Sequence, residues 1–325
     1  MTSSPGTILL AGASGYIGRA VAAELLRRGY RVIAPVRRLP PSDTSTLPEG
    51  LDLRVAAFED GAALAAALDG SRPDAVISCI ASRNGETEDA WAVDYEANCR
   101  LLEAAAAAGA RRFVLLSAIC VQKPALAFQH AKLAFEKTLM ASDLDWTIVR
   151  PTAFFKSLSG QVDRVRAGKP FIVFGRGDET ACKPISEADL ARFLVDCLND
   201  PERRNRILPV GGPGEAITPL QQGALLFDLV GRTPRYRHVS PVIFRVARSM
   251  LAPFAWFSSR AAAKAELARI GHYYATESML SWDAESSQYD ADATPSTGTD
   301  TLREHYARML HEGTGDQELG EHKLF

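Results

Sequence analysis

Residues 7–18, TILLAGASGYIG, constrain the fold more than any other stretch of the chain. An apolar run from Ile8 to Ala11 ends in Gly12, Gly15 and Gly18 and passes without a breaker into the helical pattern RAVAAELLRRG. That order is strand, tight turn, helix. Glycines at such a turn let the backbone approach a pyrophosphate, and the helix N-terminus adds free N–H groups and the positive end of its dipole. The spacing GxxGxxG is a variant of the dinucleotide fingerprint, and the flanking strand and helix are the context it needs. Gly12, Ser14, Gly15, Tyr16, Ile17 and Gly18 are therefore the candidate pyrophosphate-binding residues.

Downstream, Gly29 stops the first helix and RVIAPV (residues 31–36) reads as a buried strand. In folds selective for NAD an acid stands at about this distance and holds the ribose 2′-hydroxyl, whereas an arginine accommodates a 2′-phosphate. Arg37 and Arg38 occupy that place, which points to NADPH as the cofactor. Residues 39–50, rich in Pro, Ser and Thr, are expected to form a loop at the adenosine end. LDLRVAAFED supplies a third strand with Asp60 at its end, where such folds meet the adenine. An acidic cap for the helix GAALAAALDG accounts for Asp60 equally well. DAVISCIAS is a fourth strand, and the small Ala81 and Ser82 at its carboxyl end leave room for a cofactor. RRFVLLSAICV gives a fifth strand ending at Ser117, and DWTIVRPTAFF a sixth ending at Pro151, both candidate cofactor neighbours.

Strands alternating with helices at this rhythm imply an α/β fold, a Rossmann-type doubly wound parallel sheet. Beyond Pro151 the rhythm breaks, and a smaller C-terminal substrate lobe is expected. Residues 1–160 are assigned to the dinucleotide-binding domain, with the amphipathic helix of residues 184–200 rejoining it. Residues 161–183 and 201–325 are assigned to the lobe. Within it, SPVIFRVARSMLAPFAWFSS carries Phe, Trp, Met and Arg, suited either to core packing or to a membrane surface or flat ligand.

Composition narrows the classes. Hydrophobic residues make up 46% of the 325 and charged residues 23%, and no window forms the uninterrupted apolar run of a bilayer span. A formal net charge of −2 argues against a general electrostatic grip on nucleic acid. Cys79, Cys99, Cys120, Cys182 and Cys197 are widely spaced without a CxxC pair, as expected of reduced thiols in a cytoplasmic protein without a metal site. The start MTSSPGT carries neither a secretory signal nor an Arg-rich transit peptide, which also points to the cytoplasm.

Carbonyl reductases of the short-chain dehydrogenase type place a Tyr four residues before a Lys on one helix, so that both share a face. Here LAFQHAKLAFEKTL keeps Lys132, but Phe128 stands where the phenol belongs. His130 is turned to another face by its two-residue offset. Ser117 holds the place of the orienting hydroxyl. Lys132 remains the candidate catalytic residue: it can grip the nicotinamide ribose and feed a proton directly or through water. Either the acceptor is not a carbonyl, an activated carbon–carbon double bond being the obvious choice, or the chain is an NADP-binding sensor or assembly factor without chemistry.

The runs LLSAICVQKPALAFQHAKLAFEKTL, VRPTAFFKSLSGQV, FGRGDETACKPISEADLARF and AAAKAELARIGHYYATESMLSWD resemble the divinyl chlorophyllide 8-vinyl-reductase family. These are NADPH-dependent, atypical short-chain reductases of chlorophyll and bacteriochlorophyll synthesis, and the resemblance covers nearly the whole chain. It implies reduction of the 8-vinyl group of a magnesium divinyl chlorophyllide or protochlorophyllide to ethyl. Such a vinyl group takes hydride at its terminal carbon while the macrocycle spreads the charge, so the absent phenol is no defect. Phe154 and Phe155 are then expected to flank the flat substrate by stacking, with core packing as the alternative, and Lys156 to meet a carboxylate. Magnesium arrives with the substrate. Plant members carry a transit peptide, so the N-terminus fits a photosynthetic bacterium, with peripheral contact with the photosynthetic membrane as a further expectation.

Overall fold

In the computed structural model, which describes residues 6–39, 47–82 and 86–313, the glycine turn sets the geometry of everything that follows. Strand β1 (Thr7–Ala11) is buried along its apolar run and leads into helix α1 (Tyr16–Arg27). Gly12 has φ +83°, and a Cβ there would lie 2.8 Å from the Cys79 backbone. At Gly18 a Cβ would meet the Gly12 carbonyl oxygen at 2.0 Å. Only glycine at both positions lets the helix start this close to the strand.

The chain continues through β2 (Arg31–Val36), β3 (Asp52–Val55), α2 (Gly61–Ala67) and β4 (Ala75–Ser78). Next come α3 (Thr87–Ala90), a π-helical segment (Trp91–Ala97) and α4 (Asn98–Ala107). These are followed by β5 (Arg112–Leu116), α5 (Ala127–Met140) and β6 (Asp145–Pro151). Then follow α6 (Val162–Arg166), β7 (Phe171–Phe174), α7 (Glu187–Asp196) and β8 (Arg206–Val210). Seven parallel strands form one sheet in the order β3-β2-β1-β4-β5-β6-β8. The order reverses between β1 and β4, and in such sheets ligands bind outside the carboxyl ends of the strands at that switch point. Pro35 is tolerated inside β2 because pairing with β1 ends at Ile33.

Both faces of the sheet are covered. On one, Val21, Ala22 and Leu25 of α1 and Leu190, Leu194 and Val195 of α7 pack over Leu10, Ile77 and Val114. Ser186 caps α7, its Oγ accepting from the Asp189 N–H at 3.0 Å. Arg28 ties α1 to Asp196 of α7 at 2.6 Å. Helix α7 thus packs on the sheet beside α1. On the other face, Leu64, Leu101, Phe135 and Leu139 cover Leu9, Val76 and Phe113.

Two boundaries differ from the sequence reading. The third strand stops at Val55, and the run ILPV, assigned to the lobe, lies in β8, the seventh strand of the main sheet, with Ile148 opposite Ile207. A short edge strand with Pro209 at its end and a GGPG turn after it carries little strand signal, yet an edge position tolerates the proline.

The lobe comprises α8 (Pro219–Leu229), β9 (Tyr236–Val239), α9 (Val242–Ala255), α10 (Ser259–Thr276), the hairpin β10 (Ser281–Asp283) and β11 (Gln288–Asp290), and α11 (Leu302–Glu312). β7 pairs with β9 in parallel. Its core joins Phe155, Val165 and Phe171 to Phe227, Tyr306 and Met309. The expected adenosine-end loop falls largely on residues 40–46, outside the described residues.

Candidate active site

The cofactor side is built at the N-terminus of α1. Gly15 occupies the N-cap without a side-chain hydrogen bond, so the first helical N–H groups have no side-chain cap. A Cβ at Gly15 would meet only the Gly12 carbonyl oxygen, at 3.2 Å. Its φ of −76° is open to any residue. A side chain there makes the turn yield by a few tenths of an ångström, and the absent Cβ also leaves open the approach to the helix N-terminus, as a pyrophosphate requires. Ser14 and Gly15 are exposed, whereas the Ile17 side chain is buried in the core and leaves only its backbone for a ligand. Tyr16 donates a 2.5 Å hydrogen bond to Glu187 at the start of α7. Burial, then the Glu187 carboxylate, push its phenol well above the usual range, so it stays a donor and pins the turn.

Arg37 and Arg38 lie exposed just past the carboxyl end of β2. Ala81 is exposed beyond β4. Asp60 is engaged as a cap, its Oδ1 accepting from the N–H groups of Ala62 and Ala63 at 2.9 and 3.1 Å. Of the two readings of Asp60, this geometry supplies the helix cap.

Lys132 is brought to β4 by a residue that the sequence did not single out. Its Nζ lies 2.8 Å from Oδ1 of Asp94, whose side chain is wholly buried. Asp94 sits on the π-helical segment, whose wider turn is a frequent feature of functional sites. Ser82 donates to Asp94 Oδ2 at 2.6 Å. Asn98 holds the widened turn: its amide donates to the carbonyls of Val93 and Asp94, and it accepts from Ser78 at 2.6 Å. Oδ1 receives no well-aligned hydrogen bond, so the Lys132 contact is electrostatic more than directional. An ammonium so placed can turn donors toward a ribose hydroxyl.

Ser117 is committed to a partner on α5. It is buried and donates to Glu136 at 2.6 Å, and Glu136 is ion-paired with Arg150. The expected orienting hydroxyl is thus part of a brace between β5, α5 and β6. Phe128 packs against the cluster of Ile119, Cys120, Tyr273 and Met279, and His130 is exposed.

Beyond the carboxyl ends of β5 and β6 a cleft of about 1260 Å³, counted with its open mouth, separates sheet and lobe. Its lining is mostly apolar and includes Ala118, Pro151, Phe154, Cys182, Tyr274 and Met279. Burial pushes the Cys182 thiol up to about 12, so it stays protonated. Phe154 faces the cleft. Phe155 does not: it is 2% exposed, sits in the lobe core and packs against His305 with ring centroids 5.2 Å apart. Consecutive residues around a strand end point to opposite sides, and only one could serve a substrate. Nor does Lys156 line the cleft, its Nζ lying 5.1 Å from the centroid of the Tyr16 ring. Tyr274 and Glu277, from α10 and its C-cap, complete the wall. They lie within the run HYYATES, but periodicity alone could not tell which face of that helix would meet the sheet. Among the described residues, no group of three or more His, Cys, Asp or Glu side chains is arranged to hold a metal ion. All five cysteines are free.

A glycine turn at the switch point of a parallel sheet, with a lysine held beside it, defines a Rossmann-type nucleotide-binding protein. The family model described as NAD(P)H-binding matches residues 12–201. A divinyl chlorophyllide a 8-vinyl-reductase of Zea mays is 46% identical over all of this chain and 84% of its own length. Its Arabidopsis thaliana counterpart is 44% identical over 97% of this chain and 79% of its own. The chain belongs to the divinyl chlorophyllide a 8-vinyl-reductase family. In fold it is similar to an NADPH-dependent quinone oxidoreductase from Escherichia coli, with a TM-score of 0.66 and 20% identity over 93% of this chain and 99% of that one.

Two variants, one single and one double, separate function from folding here. Gly15→Val is expected to fold with a modestly lowered thermal unfolding midpoint, since the turn must yield to the new Cβ, while titration calorimetry finds NADPH binding lost. Tight binding by the folded variant would remove the turn from the cofactor site. Lys132→Met strands a buried carboxylate and is expected to cost about 3–5 kcal/mol of stability. Asp94→Asn combined with Lys132→Met restores the stability but leaves the reduction rate down by roughly 10²–10⁴-fold, the range of a lost acid–base group. Parent-level turnover in the double variant would exclude Lys132 from the reaction.

Proposed function

We propose that this protein reduces the 8-vinyl group of a magnesium divinyl chlorophyllide or protochlorophyllide to ethyl, using NADPH. The observation that carries the reading is the pairing of a retained, buried-anchored Lys132 with Phe128 in place of the phenol, beside an apolar cleft open to solvent. Carbonyl reduction needs a donor at the nascent oxyanion. Vinyl reduction does not, because the conjugated ring holds the charge. Full-length identity of 46% to a relative named for that reaction supports the same choice over a non-catalytic sensor or assembly factor.

In this reading the backbone from Gly12 to Gly18 and the N-terminus of α1 hold the pyrophosphate, and Arg37 and Arg38 hold the 2′-phosphate by charge-assisted hydrogen bonds. NADPH supplies the hydride. Lys132, placed by Asp94, orients the nicotinamide ribose and feeds the proton that goes to the vinyl carbon next to the ring, directly or through water. Pro151 and Ala118, at the carboxyl ends of β6 and β5, mark where the cofactor crevice meets the cleft. Phe154 offers an aromatic wall to the macrocycle. The apolar lining excludes water from the reacting carbons. Magnesium comes with the substrate, the partner is this small molecule and not nucleic acid, and any contact with the photosynthetic membrane is peripheral, with the protein otherwise in the cytoplasm.

Purified protein incubated with divinyl chlorophyllide and NADPH should shift the Soret band to the blue as vinyl conjugation is lost. An unchanged spectrum with cofactor bound would favour the sensor reading. Replacing Arg37 and Arg38 with Gln should raise KM for NADPH by roughly one to two orders of magnitude and leave KM for NADH nearly unchanged, since charge-assisted bonds to the 2′-phosphate are lost. Equal effects on both cofactors would remove the arginines from cofactor choice.

A further inference from the structure

Helix α9 carries two apolar faces. One faces the protein: Phe244 packs at a tilt against Phe174 with centroids 4.9 Å apart, and its ring lies against Gly271, where a Cβ would meet it at 2.6 Å. The other is uncovered. Ile243, Val246, Met250 and Phe254 recur at intervals of three and four on one exposed stripe, and it ends in Trp256 and Phe257, which are 89% and 87% exposed. An apolar patch of this kind marks an interaction site.

Charge decides what the partner is. From Arg232 to Lys264 the chain holds seven Arg and Lys residues and no Asp or Glu, in a protein whose net charge is −2. Arg237, Arg245, Arg248, Arg260 and Lys264 are exposed, and none pairs with a carboxylate among the described residues. An anionic bilayer surface matches both features, since apolar and aromatic side chains enter the headgroup boundary while arginines meet the phosphates. Among the described residues no helix is long and apolar enough to cross a membrane, so the contact is made by lying on the surface.

The geometry points to α9 and the Trp256–Phe257 turn as an interfacial anchor that docks the protein on an anionic membrane. The anchored face adjoins the cleft. Phe174, which packs against Phe244, and Tyr274 of α10 both line the cleft. Docking therefore brings the wall of the cleft to the lipid surface, where an amphiphilic macrocycle partitions. This delivery role rests on the vinyl-reductase reading, whereas the docking itself does not.

The full chain should float with vesicles of mixed phosphatidylglycerol and phosphatidylcholine at low salt and not with phosphatidylcholine alone. Trp256→Ser with Phe257→Ser should weaken this partitioning by roughly tenfold or more, and Arg245→Gln, Arg248→Gln and Arg260→Gln together by a similar factor while flattening its salt dependence. Both variants should keep the parent unfolding midpoint. The Trp256/Phe257 variant should also retain parent activity on substrate dispersed in detergent but lose it on substrate held in vesicles. Absence of flotation by the parent chain, equal flotation by the variants, or a dimer dispersed by the same substitutions would overturn the anchor. If the parent reduces no divinyl substrate even in detergent, the delivery role falls with the reductase reading, and flotation still decides the docking.

Discussion

The approach of backbone to backbone at the first turn is the constraint on which the rest of the molecule depends. A Cβ at Gly18 would lie 2.0 Å from the Gly12 carbonyl oxygen, and one at Gly12 would lie 2.8 Å from the Cys79 backbone. With glycine at both positions, β1 lies beside β4 while α1 starts directly above them. That closeness lets α1 cover Leu10 and Ile77, and α7 pack beside α1. It also brings the N-terminus of α1 to the switch point of the sheet, where an anionic cofactor is best received. Stability rests on Gly12 and Gly18 of this turn, and the same turn presents the N-terminus of α1.

A buried charge organises the other side of the crevice. Asp94 has no exposed side-chain surface and takes Lys132 and Ser82 as partners. Removing either ion alone would leave its partner stranded in a medium that solvates it poorly. The π-helical segment turns Asp94 toward β4, and Asn98 meets the backbone carbonyls there. The pair fixes one ammonium at the carboxyl end of the sheet and leaves the neighbouring cleft apolar. Such a cleft suits a flat conjugated acceptor whose own ring carries the transient charge.

The glycine turn, the strand and helix alternation, Lys132 and the missing phenol at Phe128 were legible because each depends on spacing along a single element. The choice between Phe154 and Phe155 was not. Both follow the same strand, and which of them faces the cleft depends on how the lobe packs, which put Phe155 with Phe171 and His305. Asp94 was invisible for a related reason: a π-helical turn shifts the register of a helix face without leaving a periodic signature. Ser117 occupies the expected strand end, but its direction is set by Glu136 and Arg150, residues from two other elements. β8, a short edge strand containing Pro209, carries little strand signal in the sequence. Side-chain direction at the ends of elements is a tertiary property, and there the sequence reading stops.

The destination of the hydride separates vinyl reduction at the terminal carbon from every other course. Protein incubated in ordinary water with divinyl chlorophyllide and NADPH deuterated at the transferable C4 position should yield a product carrying one deuterium, on the terminal carbon of the new ethyl group by NMR. A product without label, or with label on the carbon next to the ring, would contradict hydride addition at the terminal carbon.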